Sequence, residues 1–103
     1  MTNVDPSRFP ELQRVFEGYL HEDFVAEHGS AVAAIAAFRA DASAAEARAF
    51  RDEARRFLAV TSALDFAEVQ HLVTRVGSRW IPGSREELAA VLDAPPRPTV
   101  FNR

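Results

Sequence analysis

The side chains with most chemistry to offer lie between positions 17 and 28: Glu17, His21, Glu22, Asp23, Glu27 and His28. Glu17 and His21 stand four apart, a spacing that can supply two metal ligands from one helical face, but a metal needs several groups converging on one point. His21 and His28 lack the HExxH arrangement, and no other residue forces convergence. The expectation is therefore no metal and no cofactor. An exposed Glu–His pair near a helix C-terminus explains the same spacing, because the helix dipole favours a cationic ring there. Catalysis has less to work with. The chain has no Cys, which removes thiol chemistry, Cys-ligated zinc and disulfide scaffolds. It has no G-x-S-x-G, no Gly-rich phosphate loop and no Walker sequence. His71, with Glu68 and Arg75 at i−3 and i+4, belongs to a solvated helix face. No catalytic residue is expected, and the chain is not read as an enzyme.

Helices must position these groups. Phe9-Pro10-Glu11 starts the first, with Pro at the first helical position and an acid in the first turn. Leu12, Val15, Phe16, Tyr19 and Leu20 follow at i, i+3, i+4, i+7 and i+8, an apolar stripe of helical period. A regular continuation would turn Asp23 back into that stripe, so the helix is expected to end or distort near His21–Asp23. Tyr19 belongs to the stripe and should be a core residue with its hydroxyl at the edge. Gly18 is unusual, since a mid-helix Gly costs roughly 1 kcal/mol relative to Ala. Either a neighbouring helix packs closely there, the favoured expectation, or a partner's backbone approaches.

Gly29-Ser30 supplies a stop and a new N-cap. The second helix, about Ser30 to Ala40, is Ala-rich on nearly every face, with Val32, Ile35 and Phe38 as its bulky members, and is expected at the centre. Ser43-Ala-Ala-Glu46 is a capping box opening a third helix, whose buried stripe should be Ala47, Phe50, Ala54, Phe57 and Leu58. Outside, Arg48–Asp52 and Asp52–Arg56 have ion-pair spacing. Asp65-Phe-Ala-Glu68 caps the fourth helix, which carries Val69, Leu72, Val73 and Val76 to a stop at Gly77. The turn Ser78–Gly83 leads to Ser84-Arg-Glu-Glu87, a third capping box, and to Leu88, Val91 and Leu92 on the fifth helix. Trp80, in that turn, either plugs the bundle end, as expected, or is a binding anchor. Arg79 and Arg85 are expected in solvent. Ala94-Pro-Pro-Arg-Pro reads as an extended tail.

The composition fits this reading. Hydrophobic residues make up 48% of 103 positions. Removing 19 Ala leaves 30 larger apolar side chains, eight of them Phe, enough for one core in a chain that buries roughly 60–70% of its unfolded surface. The expected fold is all-α, a single compact bundle of four to five helices with a Pro-rich C-terminal tail. The boundaries are an N-terminal extension over 1–8, a helical domain over 9–93 and the tail over 94–103. The longest uncharged stretch, Gly29 to Phe38, is too short for the roughly 18–20 residues that cross a bilayer. No signal peptide is visible at the N-terminus, so a cytoplasmic protein is the default and no membrane partner is expected. Residues 1–47 hold eight acids against three Arg, a net of −5, while 48–103 hold seven acids against nine Arg, a net of +2. The acidic half argues against nucleic acid as a partner and suits a basic protein.

Phe9-Pro-Glu-Leu12 followed by Gly18-Tyr-Leu-His-Glu-Asp-Phe24 resembles the opening of the contact-dependent growth inhibition (CDI) immunity proteins of CdiI type. The similarity continues through the Ala-rich second helix, the Asp65–Gly77 helix and the Trp80-Ile-Pro82 turn, covering roughly residues 8 to 92. Leu20 replaces a usual aromatic, Glu22 a Gln and Phe24 a Trp. The resemblance implies a small cytoplasmic helical protein that binds and neutralises a toxin domain, with a basic nuclease as the expected toxin. The candidate partner-binding residues are Glu17, His21, Glu22, Asp23, Glu27 and Trp80. A solvated helix end explains the acidic stretch equally well. Two other readings stand beside this one: a helical regulatory module without a toxin partner, and a small metal-dependent hydrolase using His21 and His28. Nothing in the sequence sets the oligomeric state.

Overall fold

Pro10 opens the first helix because its missing N–H is one the first turn cannot use. The computed structural model describes residues 4–96 and places six α-helices in the order α1 (Pro10–Tyr19), α2 (Phe24–His28), α3 (Ala31–Asp41), α4 (Ala44–Thr61), α5 (Phe66–Val76) and α6 (Arg85–Leu92). A 3-10 turn, Pro6–Arg8, precedes them. The fold is all-α, with no strand among the described residues. Five helices stand where the periodicity predicts them. The sixth, α2, fills the stretch after the break at His21–Asp23. Five residues hold too little of a period to be read as a stripe, and none of them is fully buried.

Caps set most of the boundaries. Ser30 accepts from Ala33 N–H. Ser43 and Asp65 form complete capping boxes with Glu46 and Glu68. The third expected box is only half formed. Ser84 Oγ accepts from Glu87 N–H, but the Glu87 carboxylate turns back one residue further and accepts from Gly83 N–H at 2.6 Å. Arg85 is exposed, as expected, and its guanidinium also donates to Thr61 O at 2.9 Å and to Leu64 O. It ties the start of α6 to the last residue of α4, whose carbonyl also accepts from Leu64 N–H at 3.1 Å, and to the turn that follows.

Helix α1 packs against α3, α4 and α5, and α6 against α3 and α4. The core is built from Phe9, Leu12, Phe16, Ile35, Phe50, Phe57, Val69, Val73 and Leu88, all essentially inaccessible. Phe9 meets Phe57 edge-on, with centroids 5.0 Å apart. Three expectations for α3 and α4 change. Val32 points outward, 44% exposed, because Ala34, Ile35, Ala37 and Phe38 already fill the inner side of α3. Ala47 and Leu58 are only half-buried. Asp52 and Arg48 join no ion pair among the described residues, and Arg56 reaches Glu53 at 3.6 Å. Of the expected tail, positions 97–103 lie outside the described residues. Its first residue, Ala94, is buried against the core, while Pro95 and Pro96 are exposed.

Glu53 is the unexpected core residue. It is 4% exposed and its Oε1 accepts from Leu12 N–H at 2.7 Å. Phe9 has no side-chain acceptor to cap α1, so α4 supplies one. A carboxylate at a helix N-terminus is favoured by both the orphan N–H groups and the dipole.

Candidate functional site

The C-terminal end of α1 and the chain after α5 are stitched together by one backbone hydrogen bond, Arg79 N–H to Leu20 O at 2.8 Å. This brings two regions far apart in sequence to one place. Between them lies a cleft of about 340 Å³ lined by Glu17, His21, Thr74, Gly77, Ser78 and Arg79. Glu17 leans over Gly77, where a Cβ would sit 2.8 Å from Glu17 Cγ. Gly77 also has φ +123°, a conformation that L side chains rarely adopt. The two requirements coincide: Gly77 stops α5 and leaves room for Glu17.

Glu17 and His21, read from their spacing as an exposed pair, line the same cleft but are not bonded to each other. Glu17 accepts from Gln13 Nε2 at 3.4 Å. His21 lies past the end of α1, its Nδ1 accepting from Asp23 N–H at 3.0 Å and its Nε2 standing 3.1 Å from Glu27 Oε1. Because a backbone N–H can only donate, Nδ1 is the acceptor and the ring proton of neutral His21 sits on Nε2, directed at Glu27. His28 approaches the same Glu27 oxygen at 3.8 Å and stacks on Tyr19. Among the described residues, no three His, Asp or Glu side chains converge as a metal site requires. The imidazoles instead fix the turn between α1 and α2.

That turn presents the acids. Glu22 and Asp23 are exposed and have no ion-pair partner among the described residues. Asp23 occupies the N-cap position of α2, but its side chain makes no capping bond. Trp80 is half-buried and packs against the core. Ser78 holds it by accepting from Trp80 N–H at 3.0 Å and donating to Trp80 O at 2.7 Å. Its indole plugs the bundle, while neighbouring Ile81 is 57% exposed. Tyr19 is half-buried, its ring edge-on to Phe38 and its hydroxyl 3.4 Å from Asp41. Burial, then the Asp41 charge, holds this phenol above the ordinary tyrosine range. Gly18 is exposed, and a Cβ built there meets nothing within 4 Å. The expected close helix packing is therefore absent.

The acids of the α1–α2 turn thus adjoin a cleft walled by Arg79, two residues before the exposed Ile81. A model of the CdiI immunity protein family matches residues 8–91. The chain belongs to the CdiI immunity protein family. No curated protein and no solved structure matches it. The role of a CdiI immunity protein is to neutralise a CDI toxin by binding it. No helix among the described residues is long and apolar enough to cross a membrane.

Proposed function

We propose that this CdiI immunity protein works in the cytoplasm and neutralises a toxin with a basic, nuclease-type active site, which it covers with the acidic α1–α2 junction. The observation that carries this reading is the exposure of Glu22 and Asp23 on one turn, with neither joined in an ion pair among the described residues. Unpaired surface carboxylates project field into solvent and accelerate the approach of a basic surface. Nuclease sites are cationic because they bind phosphates. Glu17, His21 and Glu27 extend the surface. Gly18 lets a partner's backbone approach α1 without meeting a Cβ. Trp80 supports the adjoining turn from behind.

The test is the association rate of the cognate toxin domain with the Glu22→Arg and Asp23→Arg double variant. A fall of about ten-fold or more at low salt is expected for loss of electrostatic steering, with melting temperature and helicity unchanged. A folded double variant that binds at the wild-type rate removes this turn from the interface. Nuclease action is tested separately, by whether the free toxin degrades nucleic acid and an equimolar amount of the immunity protein stops it.

A further inference from the structure

Another concavity, sharing no lining residue with the Glu17–Arg79 cleft, lies where α3, α4 and α6 meet. Arg39, Arg51 and Arg55 surround a cavity of about 200 Å³ whose floor includes Ala54, Leu58 and Ala89. None of the three arginines belongs to an ion pair among the described residues. Arg51 and Arg55 are like charges four apart on α4, a spacing that opposes the helix rather than supporting it. Arg39 is partly buried, with its guanidinium 5.6 Å from the Phe50 centroid and its Nη2 donating to Leu92 O at 3.1 Å. Its Nε is buried with no acceptor, which leaves a donor free for an incoming oxygen. Burial pulls this guanidinium below its ordinary range, Asp93 pushes back, and Arg51 lowers it again.

We propose that this cavity receives the carboxylate of a glutamate side chain presented by a protein partner. Guanidinium forks bind carboxylates through paired charge-assisted hydrogen bonds, and the apolar floor suits the methylene stem behind the head. Phosphate fits less well. Phosphate sites draw backbone N–H groups from helix N-termini, whereas α3 and α6 bring their C-terminal ends here, with Leu92 O already at the rim. Asp93 also lines the cavity and repels a dianion more than a monoanion. This assignment does not depend on which face the toxin covers.

The experiment is an NMR titration of the full chain, following the arginine Nε–Hε resonances with N-acetylglutamate amide and, as the uncharged isostere, N-acetylglutamine amide. Saturable shifts at Arg39, Arg51 and Arg55 are expected with the glutamate compound alone, with a midpoint near about 1 mM, corresponding to roughly −4 kcal/mol. Arg51→Gln and Arg55→Gln, both at exposed positions, should each weaken it by about five-fold or more while the circular dichroism stays unchanged. Shifts that never saturate, or that chloride reproduces at equal ionic strength, would reduce the effect to general screening and overturn the assignment. Tighter binding of inorganic phosphate to the same resonances would overturn the choice of carboxylate.

Discussion

Glu53 and Gly18 invert what their residue types suggest, one an acid in the core and the other a small residue facing solvent. Glu53 was legible in two signals that have to be combined. It falls at i+3 from Phe50 and i−4 from Phe57, on the apolar stripe of α4, and Phe9-Pro10 begins α1 without a side chain able to cap it. Neither signal alone names a partner, because the pairing spans 41 positions. Glu53→Ala strands a buried N–H and opens a cavity, so a loss of about 2–4 kcal/mol is expected in urea unfolding. Glu53→Gln keeps the acceptor and should lose less than half of that, with amide exchange at Leu12 as the local check. Equal losses in both variants would mean that the charge of the carboxylate at the α1 N-terminus, rather than its bulk or its acceptor alone, is what Glu53 contributes. Gly18→Ala is expected to raise stability by about 0.5–1 kcal/mol, since the new methyl meets nothing and helix propensity improves. The same variant should bind the toxin more weakly, and an equally tight complex would leave Gly18 no part in the interface.

Among the elements, those with both an apolar stripe and a local cap were legible, because period and cap chemistry are short-range. The 18-residue α4 is the clearest case, with Ser43 at its start and Phe50, Ala54 and Phe57 along its inner side. What sequence could not reveal was the company each helix end keeps: Arg85 on the end of α4, Glu53 on the start of α1 and Arg79 on the end of α1. The candidate site shares this limit, since its acids are visible as a run but the cleft beside them depends on α1 meeting the end of α5 through long-range contacts such as the Arg79–Leu20 bond. The N-terminal cap of α4 also sets a pH dependence. The Ser43 N–H bond, reinforced by Arg14, holds the Glu46 carboxyl below the ordinary value of 4.5. A carboxyl depressed in the folded state favours folding above its unfolded pKa, and that contribution disappears as pH falls through the folded value. Protection of the Glu46 and Ala47 amides, measured relative to the intrinsic exchange rate at each pH, should therefore fall as the solution is taken below about pH 4.5. In Glu46→Gln that local pH response should be absent, and its persistence would assign it to another group.

At the scale of the whole molecule, α4 separates the acidic junction from the acids of α6. Arg14 reaches Glu46 near the start of α4, which places the C-terminal half of α1, and the turn beyond it, toward that end. Arg85 anchors the start of α6 on Thr61 and Leu64 at the other end. The 18 residues of α4 rise about 27 Å at 1.5 Å each. Screening at ordinary ionic strength acts over about 8–10 Å, so a charge at one end is felt only weakly at the other. Glu22→Arg and Glu86→Arg therefore form a matched pair: both positions are exposed, and both changes move the net charge from −3 to about −1. If overall charge draws the toxin in, the two variants slow association equally. Local steering by the α1–α2 junction predicts that Glu22→Arg slows it several-fold more at low salt. The gap should narrow as salt approaches physiological strength, because screening removes long-range attraction while leaving the packed contacts that govern dissociation. Stopped-flow association with the cognate toxin across a salt series measures both quantities. Coincident curves for the two variants would move the interface away from the junction and leave net charge as the only electrostatic contribution to encounter.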